Sequence, residues 1–136
     1  MQRGFFFRDN DHRALLRVSA KGPKKSLNLT LEIDTGADAV FLSKNLADDL
    51  GVTLIDKGEF GTLADGISEV ALLNGQLEIK WIDGTKNVDI KVWRTGPPVK
   101  SGKNKIDGLI GRNVFADSHL AIDYVNRKVA ITTPAQ

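Results

Sequence analysis

The apolar residues of this chain fall in short runs, mostly at every second position, with turn-forming residues between them. That pattern predicts strands and not long helices. Its clearest stretch is Leu27, Leu29, Leu31 and Ile33 alternating with Asn28, Thr30 and Glu32, a strand with one buried face that runs directly into Asp34-Thr35-Gly36. A strand over 14–18 precedes it, and Lys21-Gly22-Pro23-Lys24-Lys25 supplies the turn and charged residues of a hairpin connection. Beyond the triplet, 39–42 reads as a buried strand and Ser43 as an N-cap. A short helix over 44–50 follows, with Leu46 and Leu50 on its buried stripe and Gly51 closing it.

Two hairpins come next. Residues 59–73 turn near Asp65-Gly66 and residues 76–93 at Asp83-Gly84, each Asp-Gly suiting a two-residue type I′ turn. In the second, Leu77, Ile79 and Trp81 are expected to face Val88, Ile90 and Val92. Residues 94–105 hold almost nothing apolar to offset the entropy of ordering and read as a solvated loop. Its lysines lack the interleaved aromatics that base stacking uses, so no nucleic-acid partner is expected. A strand over 106–110, a helical turn over 112–116, the alternating Leu120, Ile122 and Tyr124, and a turn at Asn126-Arg127 into 129–131 complete the chain. The reading is all-β with one or two short helices.

Length allows one modest core, so the chain of 136 residues divides into an N-terminal extension over 1–12 and a single domain over 13–136. The 19 basic and 17 acidic residues are mixed along it, which gives no broad field of one sign for nucleic acid or membrane. Without cysteine there is no disulfide, thiolate nucleophile or Cys-based metal site, and His12 and His119 lie too far apart for metal-ligand spacing. No cofactor is called for. Gly4-Phe5-Phe6-Phe7 is too short for a signal sequence or a membrane span. The expectation is a soluble protein without membrane contact, cytoplasmic by default. Its compartment is left open, and an anchor upstream of Met1 is compatible with the sequence.

The chemistry rests on Asp34-Thr35-Gly36. Hydrolysis of a peptide bond without metal or covalent intermediate needs a base to activate water and an acid to polarise the carbonyl, and two carboxyls sharing one proton supply both. Carboxyls about 3 Å apart cannot both ionise, so they titrate as a pair. In the triplet, Asp34 offers the carboxyl, Thr35 a hydroxyl that can bond backbone across an interface, and Gly36 a close backbone approach. Chance places such a triplet in roughly a few per cent of chains of this size, so a second feature is needed. Leu109-Ile110-Gly111-Arg112-Asn113-Val114-Phe115, two apolar residues and a glycine before a helical turn, provides it.

Together these segments resemble the retropepsins, the retroviral-type aspartic proteases. Ile33-Asp34-Thr35-Gly36-Ala37-Asp38 is similar to their active-site segment, and Leu109-Ile110-Gly111-Arg112-Asn113 to the Gly-Arg-Asn segment after their inner strand. Residues 60–70 lie where that family has its flap hairpin, with Ala64-Asp65-Gly66 at the tip. The resemblance implies a closed β-barrel protomer and a C2 homodimer that pairs two Asp34 carboxyls over an extended polypeptide. Thr35 would tie the two active-site loops together, and Gly36 and Ala37 would line the floor. Asp38, Leu63, Ala64, Asp65, Gly66 and Ile110 would meet substrate, and an Asp38–Arg112 ion pair would support the site. The chain departs from the viral pattern at its start, and its end resembles the Ile-Asp hairpin of cellular and bacterial members, which are the closer comparison.

Other motifs lead nowhere. Asp83-Gly84-Thr85 lacks the partner Asp of a phosphotransferase motif and reads as a turn, and Asp117, Ser118 and His119 are too close in sequence to form a relay. The principal reading is therefore an aspartic endopeptidase acting as a homodimer. A module of the same fold that pairs and binds peptides with weak or no hydrolysis is the alternative, and an unrelated small β-barrel that binds other ligands is the third.

Overall fold

Local patterning becomes a barrel because each predicted strand finds a neighbour far away in sequence. The computed structural model describes residues 1–8, 12–62, 69–93, 100–101 and 104–134. In chain order its elements are β1 (Gln2–Gly4), β2 (Leu15–Lys21), β3 (Ser26–Ile33), β4 (Val40–Ser43), α1 (Lys44–Leu50), β5 (Ile55–Thr62), β6 (Glu69–Trp81) and β7 (Gly84–Trp93). They continue with β8 (Lys100–Ser101), β9 (Asn104–Lys105), β10 (Gly108–Ile110), α2 (Arg112–Phe115), β11 (His119–Asp123) and β12 (Lys128–Thr132).

Six strands close in the order β2-β3-β10-β4-β7-β6, and β6 returns to β2 through Ala20 opposite Ile79 and Lys21 opposite Glu78. Two of the pairings, β3 with β10 and β4 with β7, are parallel. The long β6 has three neighbours: it pairs β7 through most of its length, β5 along its first half and β2 near its end. Closure leaves the barrel without an open edge at that seam. The alternation read in β3 is the one that points inward: Leu29, Leu31 and Ile33 are buried and join Leu16, Val18, Leu42, Ile79, Ile90 and Ile110 in the core. Helix α1 has the caps its sequence predicts. The Ser43 hydroxyl accepts from the Leu46 N–H, and Gly51 takes the left-handed conformation, φ 79°.

Three expectations need correction. The β6–β7 hairpin closes one residue early: Trp81 pairs with Gly84, so Ile82 and Asp83 form the loop and Gly84 follows at φ 131°. The six apolar residues are all buried as the alternation predicts, and Leu77 stands opposite Val88, but Ile79 stands opposite Lys86 and Trp81 opposite Gly84, because a hairpin's register is set at its turn. Lys100–Ser101 and Asn104–Lys105, within the stretch that reads as a solvated loop, form a small antiparallel pair, β8 with β9. The segment 1–12 adds a strand to the domain, with β1 antiparallel to β12 and the β11–β12 hairpin completing a three-stranded sheet. The Phe5-Phe6-Phe7 run alternates accordingly. Phe6 joins the main core, while Phe5 and Phe7 pack on a second cluster of Leu15, Leu72, Trp93 and Ile106.

Candidate active site

Asp34 stands where β3 ends, and the barrel fixes it from both sides. The Ile33 N–H donates to the Ala14 carbonyl at 2.9 Å, and the Asp34 N–H to the Ile110 carbonyl at 3.0 Å. A tight loop then turns the chain: the Ala37 N–H reaches the Asp34 carbonyl at 3.1 Å, and the Gly36 N–H donates to the Asp34 side-chain Oδ1 at 2.9 Å. This last bond aims the carboxylate. A Cβ at Gly36 would lie 3.1 Å from that oxygen, so glycine lets the loop wrap its own acid without crowding it.

Asp34 is half-buried, whereas Thr35 and Gly36 beside it are exposed. The Thr35 hydroxyl has no hydrogen-bond partner among the described residues.

The second motif packs directly against this loop. Gly111 lies so close that an added Cβ would sit 2.4 Å from the Ala39 carbonyl oxygen and 2.5 Å from that of Ala37. Next to it the Arg112 N–H donates to the Ala37 carbonyl at 2.8 Å. The guanidinium then folds back over the loop, donating from one nitrogen to the Thr35 and Gly36 carbonyls at 3.1 and 3.2 Å. The ion pair between Asp38 and Arg112 that the resemblance implies is not formed. Asp38 instead meets Lys91 of β7 at 3.0 Å, because the Arg112 guanidinium is engaged by the Thr35 and Gly36 carbonyls and β7 runs parallel to β4 beside the loop.

Ile110 also has a different place from the one anticipated. Its side chain lies wholly inside the core, and it reaches the site through the carbonyl that receives the Asp34 N–H. Ala37 is half-buried at the loop's end. Leu63, Ala64, Asp65 and Gly66 lie outside the described residues. The strands that lead to them are in place, with Phe60 opposite Ala71, Gly61 opposite Val70 and Thr62 opposite Glu69. A pocket of about 240 Å³ opens beside the loop, with Asp38, Ala39, Lys91 and Asn113 in its wall.

Sequence reasoning missed Lys91 and gave Asn113 no role beyond its place in the Gly-Arg-Asn segment. The Asn113 side-chain Nδ2 donates to the Asp89 carbonyl at 3.0 Å and so ties α2 to β7. Neither contact has a local signal, since both depend on which strand lies next to which. Among the described residues no group of three or more His, Asp or Glu side chains is placed to hold a metal ion.

Among the described residues this arrangement presents one partly exposed carboxylate that accepts from its own loop's backbone, Asp34, with Asp38 nearby paired to Lys91. Comparison with known proteins bears on what that group serves. Residues 18–114 match the family model described as aspartyl protease. The fold is similar to that of EIAV protease complexed with the inhibitor HBY-793, at a TM-score of 0.56 and 17% identity, over 82% of this chain and 92% of that one. It is also similar to a retropepsin-like aspartic protease from Rickettsia conorii, at 0.56 and 18%, over 96% of this chain and 86% of that one. No curated protein matches the sequence.

Proposed function

The chain belongs to the aspartyl protease family and has the retropepsin-like fold, and on that premise we propose that it is an endopeptidase whose site is completed by a second copy. In this reading 13–136 is the protease domain, with β1 of the N-terminal extension added to its β11–β12 hairpin, two protomers meet about a C2 axis, and each contributes Asp34. The two carboxyls hold one proton between them. The ionised one takes a proton from water as that water attacks the scissile carbonyl, and the protonated one donates to the carbonyl oxygen as charge develops there. An extended polypeptide lies across the floor made by Gly36 and Ala37 and pairs its backbone like an added strand. Residues 63–66 close over it as a flap and keep bulk water out.

One observation carries this proposal: three backbone hydrogen bonds at Ile33 and Asp34 and a fourth from the Gly36 N–H to the carboxylate hold and aim Asp34, while the adjoining Thr35 and Gly36 are left exposed. A rigid carboxylate beside an uncovered threonine is what a shared dyad requires. The test is incubation of the purified protein with a diverse peptide mixture from acidic to neutral pH, read by mass spectrometry beside Asp34→Asn. Cleavage that depends on Asp34 supports the reading. Peptide binding with no cleavage at any pH would replace it with that of a peptide-binding module, and cleavage surviving in Asp34→Asn would remove Asp34 from the chemistry.

A further inference from the structure

Lys86 occupies a position that the barrel does not suit. Along β7 it shares its face with Val88, Ile90 and Val92, all buried, and in the register it stands opposite the buried Ile79. A lysine there has to bring its ammonium to partners at the barrel's end. It finds them on one short element. Its Nζ donates to the Val114 carbonyl at 2.9 Å and to Asp117 Oδ1 at 2.7 Å, and it lies 5.6 Å from the centre of the Trp81 ring. Val114 belongs to the four-residue helix α2, and Asp117 follows it by two residues. The first residue of that helix is Arg112, whose guanidinium holds the Thr35 and Gly36 carbonyls.

The two cations therefore act on opposite ends of one helical turn. We infer that Lys86 is a positioning residue for the active site: it fixes the C-terminal end of α2, and through α2 it sets where Arg112 holds the loop that carries Asp34. A four-residue helix has almost no stability of its own, so its orientation comes from what grips it. Val114 and Phe115 anchor it to the core and the Arg112 N–H anchors its start, which leaves Lys86 and Asn113 as its polar ties to β7. Asp117 belongs to the same tie. Its carboxyl is held below the usual carboxylate range, chiefly by the Lys86 hydrogen bond.

The inference rests on the protease reading for its kinetic arm but has a second arm that does not. In the kinetic arm, Lys86→Met should lower kcat about tenfold with KM within about twofold, since small displacements of reacting groups act mainly on the chemical step. Lys86→Arg should recover most of the loss. Ile131→Val, a core truncation on β12 away from the site, should lower stability while leaving kcat unchanged. In the second arm, amide NMR of the folded protein should show the Thr35 and Gly36 signals moving in Lys86→Met and returning in Lys86→Arg. Should Lys86→Met fail to fold, Lys86→Gln carries both arms, because it keeps a donor and loses the charge. Unmoved loop amides would overturn the inference, as would a kcat that follows stability alone in the manner of Ile131→Val. A protein that cuts no peptide yet shows the amide shifts would defeat the protease reading and leave the positioning role standing.

Discussion

Two cations, Arg112 and Lys91, hold the loop that carries Asp34, and they do so in different ways. Arg112 binds carbonyls, which cannot titrate, while Lys91 pairs with the Asp38 carboxylate, more than half of which is exposed. An exposed pair of that kind contributes little to stability, whereas a donor to two backbone carbonyls fixes the geometry of the turn itself. Arg112→Met should therefore cost about 1 kcal/mol in stability, given its exposure, but at least about tenfold in kcat/KM. Asp38→Asn should change stability by less than about 0.5 kcal/mol. Thermal melts and steady-state kinetics on both variants check this, and equal activity losses would contradict it. At this scale the sequence revealed Asp34 and its neighbours because the triplet is contiguous. It did not reveal that Lys91 takes Asp38, since that depends on β4 lying parallel to β7, with Phe41 opposite Lys91.

The elements meet at glycines where backbone passes backbone. Gly111 separates β10 from α2 and admits the Ala37 and Ala39 carbonyls to distances that no Cβ would tolerate. Gly111→Ala must push rigid backbone apart, so we expect a loss of about 1 to 3 kcal/mol by denaturant titration, with peptide cleavage, on the proposed function, falling alongside because the displaced carbonyls adjoin the loop that carries Asp34. A second prediction concerns the β11–β12 hairpin. The Asp123 carboxylate accepts the Asn126 N–H at 3.0 Å and the Asn126 side-chain amide at 2.7 Å, and these bonds hold its pKa below the usual carboxylate range. A depressed folded value means a stabilising contribution that is present above the ordinary carboxyl pKa and is lost as pH falls through the depressed one. The melting temperature of the native protein should exceed that of Asp123→Ala at neutral pH, and the gap should close in strong acid. A gap independent of pH would contradict the role of the charge.

Most elements were legible because each has a local cause: the period-2 pattern of β3, both caps of α1, and the turn before β12. Those that were not legible lack one. Gln2–Gly4 has no periodicity and becomes a strand only because β12, more than a hundred residues away, offers an edge. The Asp83-Gly84 signal placed the right turn one residue late, since pairing of Trp81 with Gly84 outweighed the preference of the dipeptide. That shift is also what puts Lys86 opposite Ile79 and so creates its link to α2.

At the scale of the whole molecule, the closed barrel holds Asp34 at the end of β3 and the chain belongs to the aspartyl protease family, but the sequence has a single Asp-Thr-Gly triplet. The central claim is that two copies share the reaction. Native and Asp34→Asn chains, unfolded together and refolded at constant total concentration, test it most directly. If a site needs an Asp34 from each copy, an equal mixture pairs native with native about one time in four and should retain roughly a quarter of the native activity. Retention of half would mean that each chain works alone, and would contradict the account.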